Sequence, residues 1–467
     1  MQSTASSRPL LWLVAVGVFM QMLDSTIVNT ALPSMARSLG ESPLRMQSVV
    51  VAYALTMATL IPASGWLADR FGTRSVYLSA IVLFTLGSLL CAVSRDLAQL
   101  VAARVLQGVG GAMLLPVGRL AVLRTVPRAQ FLAAMSFVTI PGLFGPLIGP
   151  TLGGWLVQVA SWHWIFLINL PVGALAVVAA LRVMPALRGD VACFDFAGYL
   201  MLSFSMVAIS LSLDGLSGFG ARHAGVLMLM LAGLAGLAAY WLHAARASRP
   251  LFPLQLFGIH SYRVGVLGNL FARIGSGSMP FLIPLLLQLG LGYSPMDAGM
   301  MMIPVVLAGM ASKRIVVPLV GRLGYRRVLI GNTLLVGLAM ASFALMEPGQ
   351  PTWLRVAQLS AFGLVNSLQF TAMNTVTLSE LEAELASSGN SLLSMVMMLA
   401  TSLGVALAGG LLAAFTQAGA AIDAAEVLFA FRATFVCVGF VTALSAWIFW
   451  QLAPLRAPVV PAPGEQA

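Results

Sequence analysis

Fourteen apolar runs of about twenty residues fill this chain, and no other feature narrows its fold so far. They lie near 10–32, 46–66, 75–93, 98–118, 132–157, 163–184, 193–213, 224–243, 261–289, 298–318, 328–346, 353–376, 387–415 and 431–453. A helix of roughly 20 mostly apolar residues crosses a bilayer, so each run is long enough to span one. The linking segments are short and polar, which leaves no large domain outside the membrane, and the helices themselves form the core. The pattern predicts an all-α membrane protein. Charged residues make up only 9% of the chain, against about 25% in soluble domains. The first run carries its polar residues late and has no small-residue cleavage site, so it reads as a retained helix rather than a signal peptide.

A net charge of +10 would suggest nucleic acid in a soluble protein, but here its distribution follows the membrane. With the spans threaded in order, seventeen of the 25 basic residues fall on one side, among them Arg119, Arg124, Lys313, Arg314, Arg326 and Arg327. Six fall on the other side, and Arg104 and Arg273 remain inside spans. Basic loops stay in the cytoplasm, which places both termini there and gives a multi-pass inner-membrane protein. No nucleic-acid partner is expected. Cys91, Cys193 and Cys437 lie in or beside apolar runs with no metal-ligand spacing, and read as small packing residues.

Two stretches resemble each other. GWLADRFGTRS, from Gly65 to Ser75, follows the second span, and PLVGRLGYRR, from Pro318 to Arg327, follows the tenth. Aligned on Gly72 and Gly324 they form basic tight turns on the same membrane side, and the second copy lacks an acid matching Asp69. Such repeats accompany transporters built from two six-helix halves around a midplane site. The expected organisation is a first bundle over 1–185, an inserted helix pair over 186–250, a second bundle over 251–455, and a disordered cytoplasmic tail over 456–467.

Asp24 is the one carboxylate well inside an apolar run. Charge at membrane depth costs at least about 2.5 kcal/mol, so such a residue is first read as functional. It lies about 21 Å from the inner face, and Arg104 roughly 10 Å from the outer face, which nearly matches their depths in a ~30 Å core. A buried carboxylate whose proton affinity follows its partner's distance is what coupling requires; a static ion pair that fixes helix packing is the plainer alternative. Arg273, in GNLFARIGSGSMP, has no acid at matching depth in its half. It must meet backbone carbonyls, water, Asp24 across the cavity, or an anionic ligand. Gln21, Asn29, Gln107, Asn366, Gln369 and Asn374 are buried polar candidates for the substrate cavity, with interhelical hydrogen bonding as the alternative. In PGLFGPLIGPTLGGW, Gly145, Gly149, Gly153 and Gly154 recur at nearly helical spacing beside Pro146. A small-faced, bent helix suits either a gate or close packing.

These residues also carry a family resemblance over essentially the whole chain. GWLADRFGTRS resembles the major facilitator loop signature, RVLQGVGGA from Arg104 its fourth-helix motif, and the glycine-rich run from Pro141 its fifth-helix antiporter motif. LDSTIVNTALP and WHWIFLINLPVG are similar to the fourteen-span drug:proton antiporters of the EmrB/QacA type. The resemblance implies the major facilitator fold, with two six-helix bundles and two inserted helices. It implies proton movement at Asp24 and Arg104, and a conformational latch at Gly65, Asp69, Arg70, Gly72 and Arg74. His163 stands where the family usually has arginine, so that arginine's role does not carry over.

The implied activity is proton-coupled export of small molecules, multidrug efflux above all. The alternative is export of an anionic metabolite, such as a tricarboxylate or its metal complex, on the strength of Arg273. A transporter-like sensor would need a signalling surface that the short loops lack. No nucleotide loop, metal cluster or nucleophile–base pair is present, so neither an enzyme nor a cofactor is expected, and the energy source is an ion gradient. Expected partners are the substrate, protons and the lipid bilayer, with the chain as a monomer and a periplasmic adaptor as the open alternative.

Overall fold

A computed structural model describes residues 8–189, 194–218, 223–416 and 424–452. Cys193 and the tail 456–467 lie outside these residues. All regular structure among the described residues is helical. The first six spans are α1 (Arg8–Leu39), α2 (Gln47–Phe71), α3 (Thr73–Ala92), α4 (Leu97–Thr125), α5 (Arg128–Val159) and α6 (Trp164–Val183). The inserted pair is α7 (Phe196–Gly218) and α8 (His223–Ala244). Then come α9 (His260–Gly290), α10 (295–323), α11 (325–345), α12 (Thr352–Leu378), α13 (Ala383–Phe415) and α14 (Glu426–Trp450). The described helices thus reach the expected fourteen spans. The face bearing Arg8 and Trp450 is called the terminal face below, and the other the distal face.

The repeat seen in sequence recurs in the backbone. Gly72 sits at φ 90°, ψ 144° and Gly324 at φ 78°, ψ 156°, so both turns use a left-handed conformation that a side chain would strain. Lys313 and Arg314 correct the sequence reading. They stand inside α10, about 16 Å before the Gly324 turn and within the 298–318 run itself, rather than in a loop. Arg119 likewise lies within α4, half-buried.

α1, α4 and α5 pack closely in the first bundle. A Cβ on Gly145 would lie 2.7 Å from Leu23 N, and one on Gly153 2.6 Å from Ile27 O, so the α5 glycines bring its backbone against α1. At its distal end α5 meets α10 across the bundle interface. Gly154 faces the Pro295 carbonyl, Gly299 faces the Pro150 carbonyl, and Thr151 Oγ1 donates to Gly299 O at 3.3 Å. Gln288 Nε2 of α9 donates to Thr30 O of α1 at 2.9 Å, also between the bundles. The distal ends are therefore closed on each other.

α7 packs on α2 and α13, with Ser210 and Ser402 hydroxyls 3.1 Å apart, while α8 buries little of its surface except against α7. On the terminal face Asp195 clasps this pair. It accepts from Gly198 N at 2.8 Å and Leu251 N at 3.0 Å, and meets His243 Nε2 at 2.8 Å. Burial alone would raise the Asp195 carboxyl, but these donors outweigh it and hold it below the usual carboxylate range.

Candidate functional site

Asp24 of α1 and Arg104 of α4 are each 1% exposed, and Arg104 Nη1 donates to Asp24 Oδ2 at 2.7 Å. The carboxylate's other oxygen accepts from Gln107 Nε2 at 2.8 Å. Arg104 has further partners. Nη1 reaches Gln107 Oε1 at 2.6 Å, Nε reaches Val49 O at 3.2 Å, and the guanidinium lies 4.1 Å from the Tyr53 ring centroid. Every charge here is paired and hydrogen-bonded, the condition under which a buried ion pair is tolerated. Asp24 and Arg104, at nearly matching depth along their spans, are in direct contact in the fold.

The sequence reading missed the rest of this cluster. Gln107 Nε2 also donates to Ser88 Oγ of α3 at 2.8 Å, and Asn169 Nδ2 of α6 donates to the same oxygen at 3.2 Å. Gln107, expected in the cavity, is fully buried in this network instead. Gln369 is likewise within the second bundle, accepting from Asn332 Nδ2 at 2.8 Å and donating to Thr333 Oγ1 at 2.6 Å. Both amides are thus hydrogen-bonded inside their bundles in this conformation. Gln21 Nε2 reaches Met57 Sδ at 3.9 Å, and Asn29 donates to Ser25 O at 3.2 Å. The side-chain oxygens of Gln21, Asn29, Asn366 and Asn374 have no hydrogen-bond partner among the described residues.

Arg273 of α9 is the opposite of Arg104. It is 5% exposed, its guanidinium carbon lies 3.2 Å from the Phe370 ring centroid, and Nε and Nη2 have no hydrogen-bond partner among the described residues. Asp24 is engaged elsewhere, so it does not serve Arg273.

The residues of the terminal-face turn divide by task. Asp69 pairs with Arg124, linking α2 to α4. Arg74 Nε donates to Met184 O at 2.6 Å and Thr73 N to Leu187 O at 2.9 Å, which docks the connector after α6 onto the turn. Arg70 lies over Trp66, and Gly65 is exposed with open space beside it. At the distal end of α6, His163 stacks on Trp162 with centroids 3.8 Å apart. Burial lowers its pKa below the ordinary value, so the neutral ring is favoured.

The Major Facilitator Superfamily profile matches residues 14–405, with a second, overlapping match over 265–467. This chain belongs to the major facilitator superfamily. Within the superfamily it is 54% identical over 446 residues to a Serratia proteamaculans protein named "Putative multidrug resistance protein MdtD", covering 96% of this chain and 94% of the relative. A Pectobacterium carotovorum protein of the same name is 54% identical over 449 residues, covering 96% of each. Among solved facilitators, a bacterial homologue of the human lysosomal transporter Spinster, inward-facing and unoccupied, aligns with TM-score 0.69 at 14% identity. That alignment covers 96% of this chain and 97% of that one. A POT family transporter in complex with a thioalcohol-conjugated peptide gives TM-score 0.69 at 15% identity, covering 94% and 95%. At such identities these two establish the fold alone.

Proposed function

We propose that this facilitator is a proton-coupled secondary active exporter of small molecules across the inner membrane, with both termini cytoplasmic. The observation that carries the reading is Asp24, a carboxylate sealed inside a bundle and held by Arg104 and Gln107. Protonating Asp24 removes its charge and weakens its hold on Arg104. The guanidinium is not then orphaned, because Gln107 Oε1, Val49 O and the Tyr53 face remain beside it. Its neutral partners thus survive protonation of Asp24 while its counterion is lost, and that difference is the energy that a change of conformation can draw on. Movement of α1 against α4 is the natural readout, since α1 also carries the α5 packing surface and the Thr30 contact with α9. In this scheme 1–185 and 251–455 rock against each other, the closed α5–α10 seam is one end state, and Asp69–Arg124 with its turn latches it.

Amphipathic drugs are the cargo class supported by the relatives' names. A second reading, an anionic cargo such as a tricarboxylate or its metal complex, is favoured by Arg273, whose Nε and Nη2 have no hydrogen-bond partner among the described residues. Energised everted vesicles with and without Asp24→Asn test both, using a lipophilic cation dye and a radiolabelled tricarboxylate. Proton-driven uptake of the dye alone, lost in the variant, is the expected result. Uptake of the tricarboxylate alone moves the cargo to the second reading, and uptake that survives Asp24→Asn removes Asp24 from coupling.

A further inference from the structure

The Asp24 site extends beyond the two helices that carry the ion pair. Ser88 and Asn169 are fully or almost fully buried, on α3 and α6, and neither touches Asp24 or Arg104 by hydrogen bond among the described residues. Both bear on Gln107. Its amide hydrogen-bonds both members of the pair, with Oε1 toward Arg104 and Nε2 toward Asp24. That orientation is dictated chemically. A carboxylate can only accept and a guanidinium can only donate, so the flipped amide would oppose both partners.

What holds the amide in place is the second Nε2 hydrogen, which goes to Ser88 Oγ at 2.8 Å. Asn169 Nδ2 occupies the other side of that oxygen at 3.2 Å. Two amide donors use both acceptor positions of one hydroxyl, so Ser88 is fixed as an acceptor toward Gln107. Asn169 lies one turn into α6, just after Ile168, and is 2% exposed. The INLP stretch thereby acquires a task in this chain.

Building on the assignment of Asp24 as coupling group, we propose that Ser88 and Asn169 are positioning residues that set the proton affinity of Asp24 by locking the Gln107 amide. Among the described residues, the other titratable or charged groups facing the carboxylate are Arg104 on α4, Tyr53 on α2 and Cys91 on α3. Losing the lock frees the amide to rotate and removes one donor from the charged carboxylate. A carboxylate with fewer donors binds its proton more tightly.

The test needs no cargo. Infrared titration of the purified full-length protein follows the carboxylic-acid carbonyl band, with Asp24→Asn identifying the Asp24 contribution. Ser88→Ala deletes one oxygen, and Asn169→Leu keeps side-chain size while removing the donor. Both variants are expected to bind the Asp24 proton about tenfold more tightly, a displacement of about one pH unit. Gln107→Ala is expected to do the same or more. A purely structural role would lower the yield of folded protein and leave the titration of that fraction in place. If both variants titrate with the unaltered protein, the positioning role is overturned while Asp24 keeps its own. If the unaltered protein has no band that Asp24→Asn removes, the coupling assignment falls, and the positioning role falls with it.

Discussion

Arg104 and Arg273 are both buried arginines in membrane-spanning helices, one in each bundle, and they are solved differently. Arg104 has a carboxylate, an amide oxygen, a backbone carbonyl and an aromatic face. Arg273 has the Phe370 ring, with Nε and Nη2 unpartnered among the described residues. A fully satisfied charge rigidifies its surroundings, whereas an unsatisfied one is either a cost tolerated for function or a site awaiting a partner. The contrast fits the proposed division of labour, in which Asp24 of the first bundle is the titrating group and Arg273 of the second is a candidate cargo contact.

The largest effect should come from removing one side of the paired site. Asp24→Ala leaves the Arg104 charge without its counterion and should destabilise the folded protein by about 3–5 kcal/mol, read as thermal unfolding in detergent. Asp24→Leu combined with Arg104→Met removes both charges and should recover most of that loss, while proton-driven uptake stays absent. If the double variant is no more stable than the single, the site is held by packing rather than by charge pairing.

Arg273→Met should behave in the opposite sense. Removing an unpaired buried cation is expected to leave stability unchanged or raise it by up to about 2 kcal/mol. Loss of tricarboxylate uptake with stability intact would mark Arg273 as a cargo contact. A fall in stability as large as that of Asp24→Ala would show that Arg273 has partners after all, and would dissolve the contrast.

How far sequence reaches follows from the same two residues. Asp24 and Arg104 were legible because charge is rare at membrane depth, and depth can be counted along a helix at 1.5 Å per residue. The paired turns were legible because Gly72 and Gly324 sit in basic loops that cannot enter lipid. For Gln107 and Gln369 the sequence leaves a cavity and interhelical hydrogen bonding both open, and in the fold they hydrogen-bond within their bundles. In a span apolar on every side, no hydrophobic stripe tells which face meets lipid and which meets protein. Ser88 had no signal, being one serine in an apolar run, and Asn169 was visible as part of a motif but not as a donor. The Asp195–His243 contact was hidden too, because it forms only when the α7–α8 hairpin closes and returns both ends to one face.

A third charge pair sharpens the lesson about burial. Asp69 and Arg124 are paired like Asp24 and Arg104, but their side chains are 27% and 26% exposed. Asp69→Asn should therefore lower stability by at most about 1 kcal/mol. If it latches the turn, uptake rate should still fall, measured at saturating dye or tricarboxylate, whichever is carried. A stability loss approaching that of Asp24→Ala would mean that water does not reach this pair.

The smallest effect concerns His163, whose titration must be separated from that of Asp24. Its ring lies against Trp162 at the distal end of α6, and burial lowers its pKa, so the folded protein prefers the neutral form. The sign follows from linkage. The contribution to stability is fully present above the ordinary histidine value of about 6.5 and fades as pH falls through the lowered value. His163→Phe keeps an aromatic ring beside Trp162 and removes the proton site. The variant should lose a small part of the stability decline between about pH 7 and pH 5, seen as a flatter unfolding temperature across that range. The pH profile of uptake should be unchanged, because His163 touches neither Asp24 nor its partners by hydrogen bond among the described residues. A shifted uptake profile would instead place part of the coupling at the distal end of α6, and the proposal of Asp24 as the one coupling site would no longer hold.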